Sequence, residues 1–213
     1  MLLIVTRVVT GMASNVPNLC KALDKRKISY IITKKCDPII IRRKDIDGII
    51  IPGSPYRVIP EEQQDDLELE LYYLFHFPKL PVLGICHGCQ FLMTYYGGDL
   101  VSYNSYWIGS KEIELDLSRD KIFRNEERIQ KIRVYFHDLP VITPKAVKAG
   151  VREIAWITKF RDGRRHACAF EFEKDRVYGC LFHPETYKHT RSILYNFYDN
   201  ICVPASPSSS SSS

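Results

Sequence analysis

Short, mainly apolar runs alternate with helix-period segments over the first hundred residues. Residues 2–5, Leu-Leu-Ile-Val, carry no polar position, the pattern of a strand buried on both faces. Residues 29–33, 46–51 and 80–85 are the next expected strands. Between them the sequence predicts helices. One begins at the candidate caps Ser14 and Asn15 and reaches about Arg26; another covers 61–77, opening with acidic residues and aligning Leu67, Leu71 and Leu74 on one face. A third helix is expected over 90–96. Strands alternating with helices imply βα units and a parallel sheet, whose ligands bind beyond the carboxyl ends of the strands.

The texture changes after Gly97-Gly98. Residues 100–117 and 129–136 alternate apolar and polar positions, and 153–172 reads as a hairpin turning at 161–164. Residues 176–182 form one more apolar strand, ending at His183-Pro184-Glu185, and a helix over 191–201 follows. The expected fold is α/β: an open, mainly parallel central sheet flanked by helices, with an antiparallel β extension in the C-terminal half. One domain is expected over 1–203. Residues 204–213, proline and serine almost throughout, have no capacity to pack and are expected to be a disordered tail.

Composition narrows the class without naming a chemistry. The 213 residues carry a net charge of +5, and the basic residues form only short clusters near acidic ones, so neither a nucleic-acid partner nor a membrane is expected. No apolar run approaches the roughly 20 residues of a membrane span, and residues 1–5 lack a basic leader. Seven cysteines without framework spacing point to reduced thiols. Together these features predict a soluble, cytoplasmic protein.

The chemistry concentrates at Gly84-Ile85-Cys86-His87-Gly88-Cys89-Gln90. A strand that turns sharply into a helix leaves its turn residue proud of the sheet, beside free N–H groups and the positive end of the helix dipole. Such a nucleophile needs a base, a group orienting the base, and donors for an oxyanion. His183 ends another apolar strand and is the base candidate, with Glu185 two residues on to hold its tautomer. The backbone N–H groups of His87 and Gly53 are the oxyanion candidates; Gly53 sits in the turn Pro52-Gly53-Ser54-Pro55. Each piece alone has an ordinary reading, as a core cysteine, a strand-end histidine or a plain loop. The combination is far less common by chance than its parts. Two rivals use the same cysteine: thiol–disulfide exchange through Cys86-x-x-Cys89, and a zinc site, for which no second ligand pair follows at finger-like spacing.

The run Gly84 to Gln90 resembles the nucleophile motif G-x-C-x-G-x-Q of class I (triad) glutamine amidotransferases, and Phe182-His183-Pro184-Glu185 resembles their F-H-P-E motif. Within the class, the segments around Gln90 to Gly98, Val134 to Asp138 and Val177 to Glu185 are most similar to the amidotransferase part of GMP synthases. The resemblance implies hydrolysis of L-glutamine through a γ-glutamyl thioester on Cys86, with His183 and Glu185 completing the triad and no cofactor or metal. It implies substrate contacts from Gln90, Gly88 and the segment Phe136, His137 and Asp138. The ammonia would pass to an acceptor, such as a separate ATP-dependent synthetase subunit. The chain departs from the family in a loop at Gly53 poorer in glycine, in Phe136 where serine is common, and in Asp138 where glycine is common. A γ-glutamyl peptidase with the same triad and a non-catalytic regulatory protein on the same fold are the alternatives.

Overall fold

The computed structural model describes residues 1–7, 15–58, 67–158 and 163–203, without the side chains of 103–106 and 137. Among the described residues nine strands form one sheet. Strands β1 (Leu2–Val5), β2 (Tyr30–Thr33), β3 (Gly48–Ile51), β4 (Val82–Ile85) and β9 (Val177–Cys180) run parallel in the order β2-β1-β3-β4-β9. The sheet continues antiparallel through β8 (His166–Glu173), β7 (Arg152–Ile157), β5 (Asp99–Leu115) and β6 (Ile129–Val141). The mainly parallel centre and its antiparallel extension are therefore as the apolar pattern predicts. All four residues of β1, β3, β4 and β9 are buried, which is why their sequences show no alternation.

The helices are α1 (Val16–Lys25), α2 (Glu68–His76), α3 (His87–Tyr95), α4 (Pro144–Lys148) and α5 (Arg191–Asn196), the last continuing into a π-turn over Phe197–Cys202. Three features differ from expectation. Helix α3 starts at His87 rather than Gln90, because the elbow takes all its bend in one residue and the helix begins at once. Asn15 flanks α1 but its side chain makes no cap; it is drawn instead to His183. Helix α4 is additional to the expected set, although Thr143-Pro144 is a start signal: the Thr143 hydroxyl accepts the Ala146 N–H at 3.2 Å. Ser14, the start of the expected 61–77 helix, the first half of the 161–164 turn and the 204–213 tail lie outside the described residues.

The parallel register positions the site. Ile51 pairs with Gly84, and Ile85 with Cys180, so the residues leaving β3, β4 and β9 emerge side by side on one rim. Cys86 is held there by its N–H, which donates to the Cys180 carbonyl at 2.7 Å. Its backbone takes φ 51° and ψ −103°, a costly conformation for a residue with a side chain, and Gly84 and Gly88 allow it. A Cβ on Gly84 would meet the Gly88 carbonyl group at 2.5 Å, and one on Gly88 would collide with the Ile51 carbonyl oxygen. The helix can leave the strand this tightly only without those carbons. Gly88→Ala should accordingly lower the unfolding free energy by about 1–3 kcal/mol through overpacking against backbone, measured by denaturant melts; an unchanged midpoint would show that the elbow tolerates a wider turn.

Candidate active site

Gly53, Cys86 and His183 follow the ends of three neighbouring strands, with β4 in the middle. They line one cavity of about 580 Å³, together with Asn15, Asn18, Ser54, Arg133, Tyr135 and Thr186. The bare α-carbon of Gly53 faces the other two: a Cβ there would lie 2.7 Å from His183 Cε1 and 3.4 Å from the Cys86 Cβ. The N–H groups of Gly53 and His87 make no hydrogen bond among the described residues. That leaves both donors unspent beside the sulfur.

His183 is 4% exposed and Glu185 1% exposed. The His183 Nδ1–H donates to Glu185 Oε1 at 2.8 Å, which turns the other ring nitrogen away from the carboxylate. The Asn15 amide nitrogen also stands 3.0 Å from Nδ1. Because that nitrogen's single proton goes to Glu185, the amide meets it favourably only when turned so that its oxygen faces the ring. Burial pulls the His183 pKa down, but the charge and hydrogen bond of Cys86, with those of Glu185, outweigh it and push it up to about 10. The Cys86 thiol donates to the Tyr135 carbonyl at 3.3 Å.

The remaining expected residues are placed differently. Gln90 is buried and its side-chain amide donates to the Asp138 carbonyl at 2.8 Å, so it anchors that segment and does not line the cavity. Phe136 is buried with its ring stacked on Trp107, centroids 6.3 Å apart. Asp138 is buried and bound to Arg57 through Nε at 3.0 Å and Nη2 at 2.6 Å, and to the Ser102 hydroxyl at 2.6 Å. The carboxylate is thus met by a guanidinium from the segment after Gly53. The His137 side chain lies outside the described residues. Gly88 packs its α-carbon on Ile51.

Sequence reasoning missed Asn15, Arg57 and Tyr135. Asn15 has the residue type of a helix cap, and a carbonyl such as that of Tyr135 leaves no residue-type signal. Arg57 could have been found from its position four residues after Gly53, opposite an unusual Asp138.

Cys89, the second cysteine of the Cys-x-x-Cys, is fully buried, and burial raises its thiol well above the usual range. A Cβ on Gly179 would touch its sulfur at 2.8 Å, so it is packed as a core residue with no thiolate to resolve a disulfide. Among the described residues no group of three His, Cys, Asp or Glu is placed to hold a metal, and no helix is long and apolar enough to cross a membrane.

Residues 8–201 match the family described as glutamine amidotransferase class-I. A glutamine-hydrolysing GMP synthase from Borreliella burgdorferi (strain N40) is 30% identical over 172 residues, covering 76% of this chain and 29% of the relative. One from Clostridium perfringens (strain 13 / Type A) is 32% identical over 165 residues, with the same coverage of 76% and 29%. The chain thus spans less than a third of the length of the curated relatives it matches. Among solved structures, a Thermoplasma acidophilum protein described as one subunit of a GMP synthase superposes with a TM-score of 0.70 at 20% identity, over 95% of this chain and 94% of its own. The glutaminase domain of Trypanosoma brucei CTPS with bound acivicin gives a TM-score of 0.66 at 12% identity, over 93% and 92%. At these identities the likeness concerns the fold. Since the family match runs over almost the whole chain and the fold agrees with it, this chain belongs to the class I glutamine amidotransferases.

Proposed function

We propose that the chain hydrolyses L-glutamine to glutamate and ammonia with a Cys86-His183-Glu185 triad. The observation that carries this reading is the pairing of a strained Cys86 at the sheet's rim with a buried His183 whose Nδ1–H is held by Glu185 at 2.8 Å, in a cavity large enough for an amino acid. In the proposed cycle the Cys86 thiolate attacks the side-chain carbonyl carbon of glutamine, and the negative charge moves from sulfur to the carbonyl oxygen. The free N–H groups of Gly53 and His87 receive it. The Tyr135 carbonyl beside the sulfur can accept from the substrate's amide N–H, which an ester or acid would lack. His183 gives its proton to the departing nitrogen, which leaves as ammonia, and the γ-glutamyl thioester remains. His183, now neutral, takes a proton from water; the resulting hydroxide attacks the thioester, and the thiolate leaves with glutamate formed.

The acceptor of the ammonia is proposed to be a separate ATP-dependent synthetase of the GMP-forming type, placing the reaction in purine biosynthesis. Two similarities support it: the curated relatives are GMP synthases, and the Thermoplasma GMP synthase subunit matches nearly end to end. Gln90 and the Arg57-Asp138 pair would shape the wall that meets the amino-acid end of glutamine, with Gln90 acting through the Asp138 backbone.

Cys86→Ala should abolish ammonia release from glutamine, with or without a synthetase and its nucleotides, while the melting curve stays close to that of the parent. A glutamine-analogue electrophile should label Cys86 and none of the other six cysteines by mass spectrometry; retained hydrolysis in the alanine variant would sink the assignment. The charge state gives a second expectation. Since the folded His183 value is raised from 6.5 to about 10, its protonation stabilises the fold fully below about 6.5, and that contribution is lost as pH rises through about 10. The His183 ring signals in NMR should show imidazolium at pH 8 and titrate much lower in Cys86→Ser, which removes the partner charge. A ring that titrates identically in both proteins would contradict the ion pair.

A further inference from the structure

The oxyanion donors of the proposed cycle belong to two segments: His87 opens α3, while Gly53 lies in the loop after β3. That loop is poorly tied by its own backbone. Pro52 and Pro55 have no N–H, and residues 52–56 make no backbone–backbone hydrogen bond among the described residues. What holds it is side chains. The imidazole of His87, buried to 2% exposure, reaches across and donates Nδ1–H to the Tyr56 carbonyl at 3.0 Å. Its other nitrogen lies 3.6 Å from Glu70 Oε1 and makes no hydrogen bond.

Glu70, on α2, is also nearly inaccessible, and two bonds fasten it to Arg7 just past β1: Nε to Oε1 at 2.8 Å and Nη2 to Oε2 at 2.5 Å. Burial pushes the Glu70 carboxyl up, but the His87 and Arg7 contacts outweigh it and keep it below the usual carboxylate range, so it is ionised. The Arg7 guanidinium carbon sits 5.9 Å from the centroid of the Tyr56 ring. The residue after the nucleophile thus has two ends: its backbone N–H opens the helix at the elbow, and its ring grips the loop that carries the other donor.

We propose that the His87 side chain is the positioning residue of the oxyanion hole, fixing the Gly53 loop to the elbow through the Tyr56 carbonyl, with the Arg7-Glu70 pair standing beside its buried ring. The role rests on the glutaminase reading above. It replaces, with a side-chain strut, the backbone fit that a glycine-richer loop would supply. An oxyanion donor removed outright costs about 10²–10³ in rate, so a donor merely loosened should cost about 10- to 100-fold. The substrate amide and the thiol do not touch the strut, so the loss falls on the transition state.

The test uses the full chain, with a synthetase present if one is needed for activity. His87→Leu removes the donor while filling the space, and Glu70 keeps its Arg7 partner. It is expected to lower kcat about 10- to 100-fold with KM for glutamine little changed. His87→Asn, whose amide N–H occupies the place of Nδ1, should recover most of that loss. The rate at which iodoacetamide alkylates Cys86 needs no oxyanion hole and should be the same in all three proteins. The proposal is overturned if His87→Leu turns over like the parent, if KM rises as much as kcat falls, if asparagine rescues nothing, or if alkylation slows in step with kcat. A parent chain that releases no ammonia under any condition would instead overturn the glutaminase reading, and this role with it.

Discussion

The close approach of Gly88 to the Ile51 carbonyl governs the rest of the site. It lets α3 leave β4 without an intervening loop, which forces the whole change of direction onto Cys86 and places it at φ 51°. A wider turn would relieve that strain, but it would move the sulfur away from His183, whose own position is fixed by β9 pairing with β4. The parallel register then supplies the third component, because Gly53 is two residues past the end of the strand on the other side of β4. One steric contact and one ladder together bring nucleophile, base and donor to the same rim.

Much of this was legible in the residues. Strands with every position buried leave unbroken aliphatic runs, and a cysteine or histidine that follows such a run must surface at its end. The glycines on both sides of Cys86 made sense only in an elbow. What the sequence concealed was long-range pairing. Nothing near Asn15 marks it as a neighbour of His183, 168 positions away, and its type suggested the local role of a cap. Gln90 is marked by its motif, but its contact with the Asp138 backbone, to which its amide nitrogen donates, is not. Asp138 itself stood out as a departure, but its meaning depends on Arg57, 81 positions earlier. Local pattern reveals elements and their ends; it does not reveal which side chains those ends bring together.

Two ion pairs with buried carboxylates brace the region around the cavity, Arg7-Glu70 and Arg57-Asp138. Buried pairs are weak evidence for stability, since desolvation consumes most of the attraction between the charges. Their value is geometric: a bidentate guanidinium–carboxylate contact accepts little variation in distance or angle. Both pairs converge on the same stretch, directly at Arg57 and through His87 at Tyr56. The loop after β3 is the part of the rim with the least backbone support, and it is the part on which these costly contacts are concentrated.

Charge accounting shows why that loop would need such bracing. In the proposed cycle a thiolate, an imidazolium and a carboxylate give the triad a net charge of −1 before attack, and the same total after it, with the anion relocated from sulfur to oxygen. The substrate amide is neutral, so no new ion has to be balanced. The barrier depends instead on whether fixed dipoles already point at the oxygen's future position, because donors that must move into place offset part of the stabilisation they give. His183 and Glu185 are held by burial and by the sheet. The His87 N–H is fixed by α3. Of the two donors, Gly53 is the one on a segment without backbone hydrogen bonds among the described residues, and a tie from the residue next to the nucleophile makes both donors move as one body.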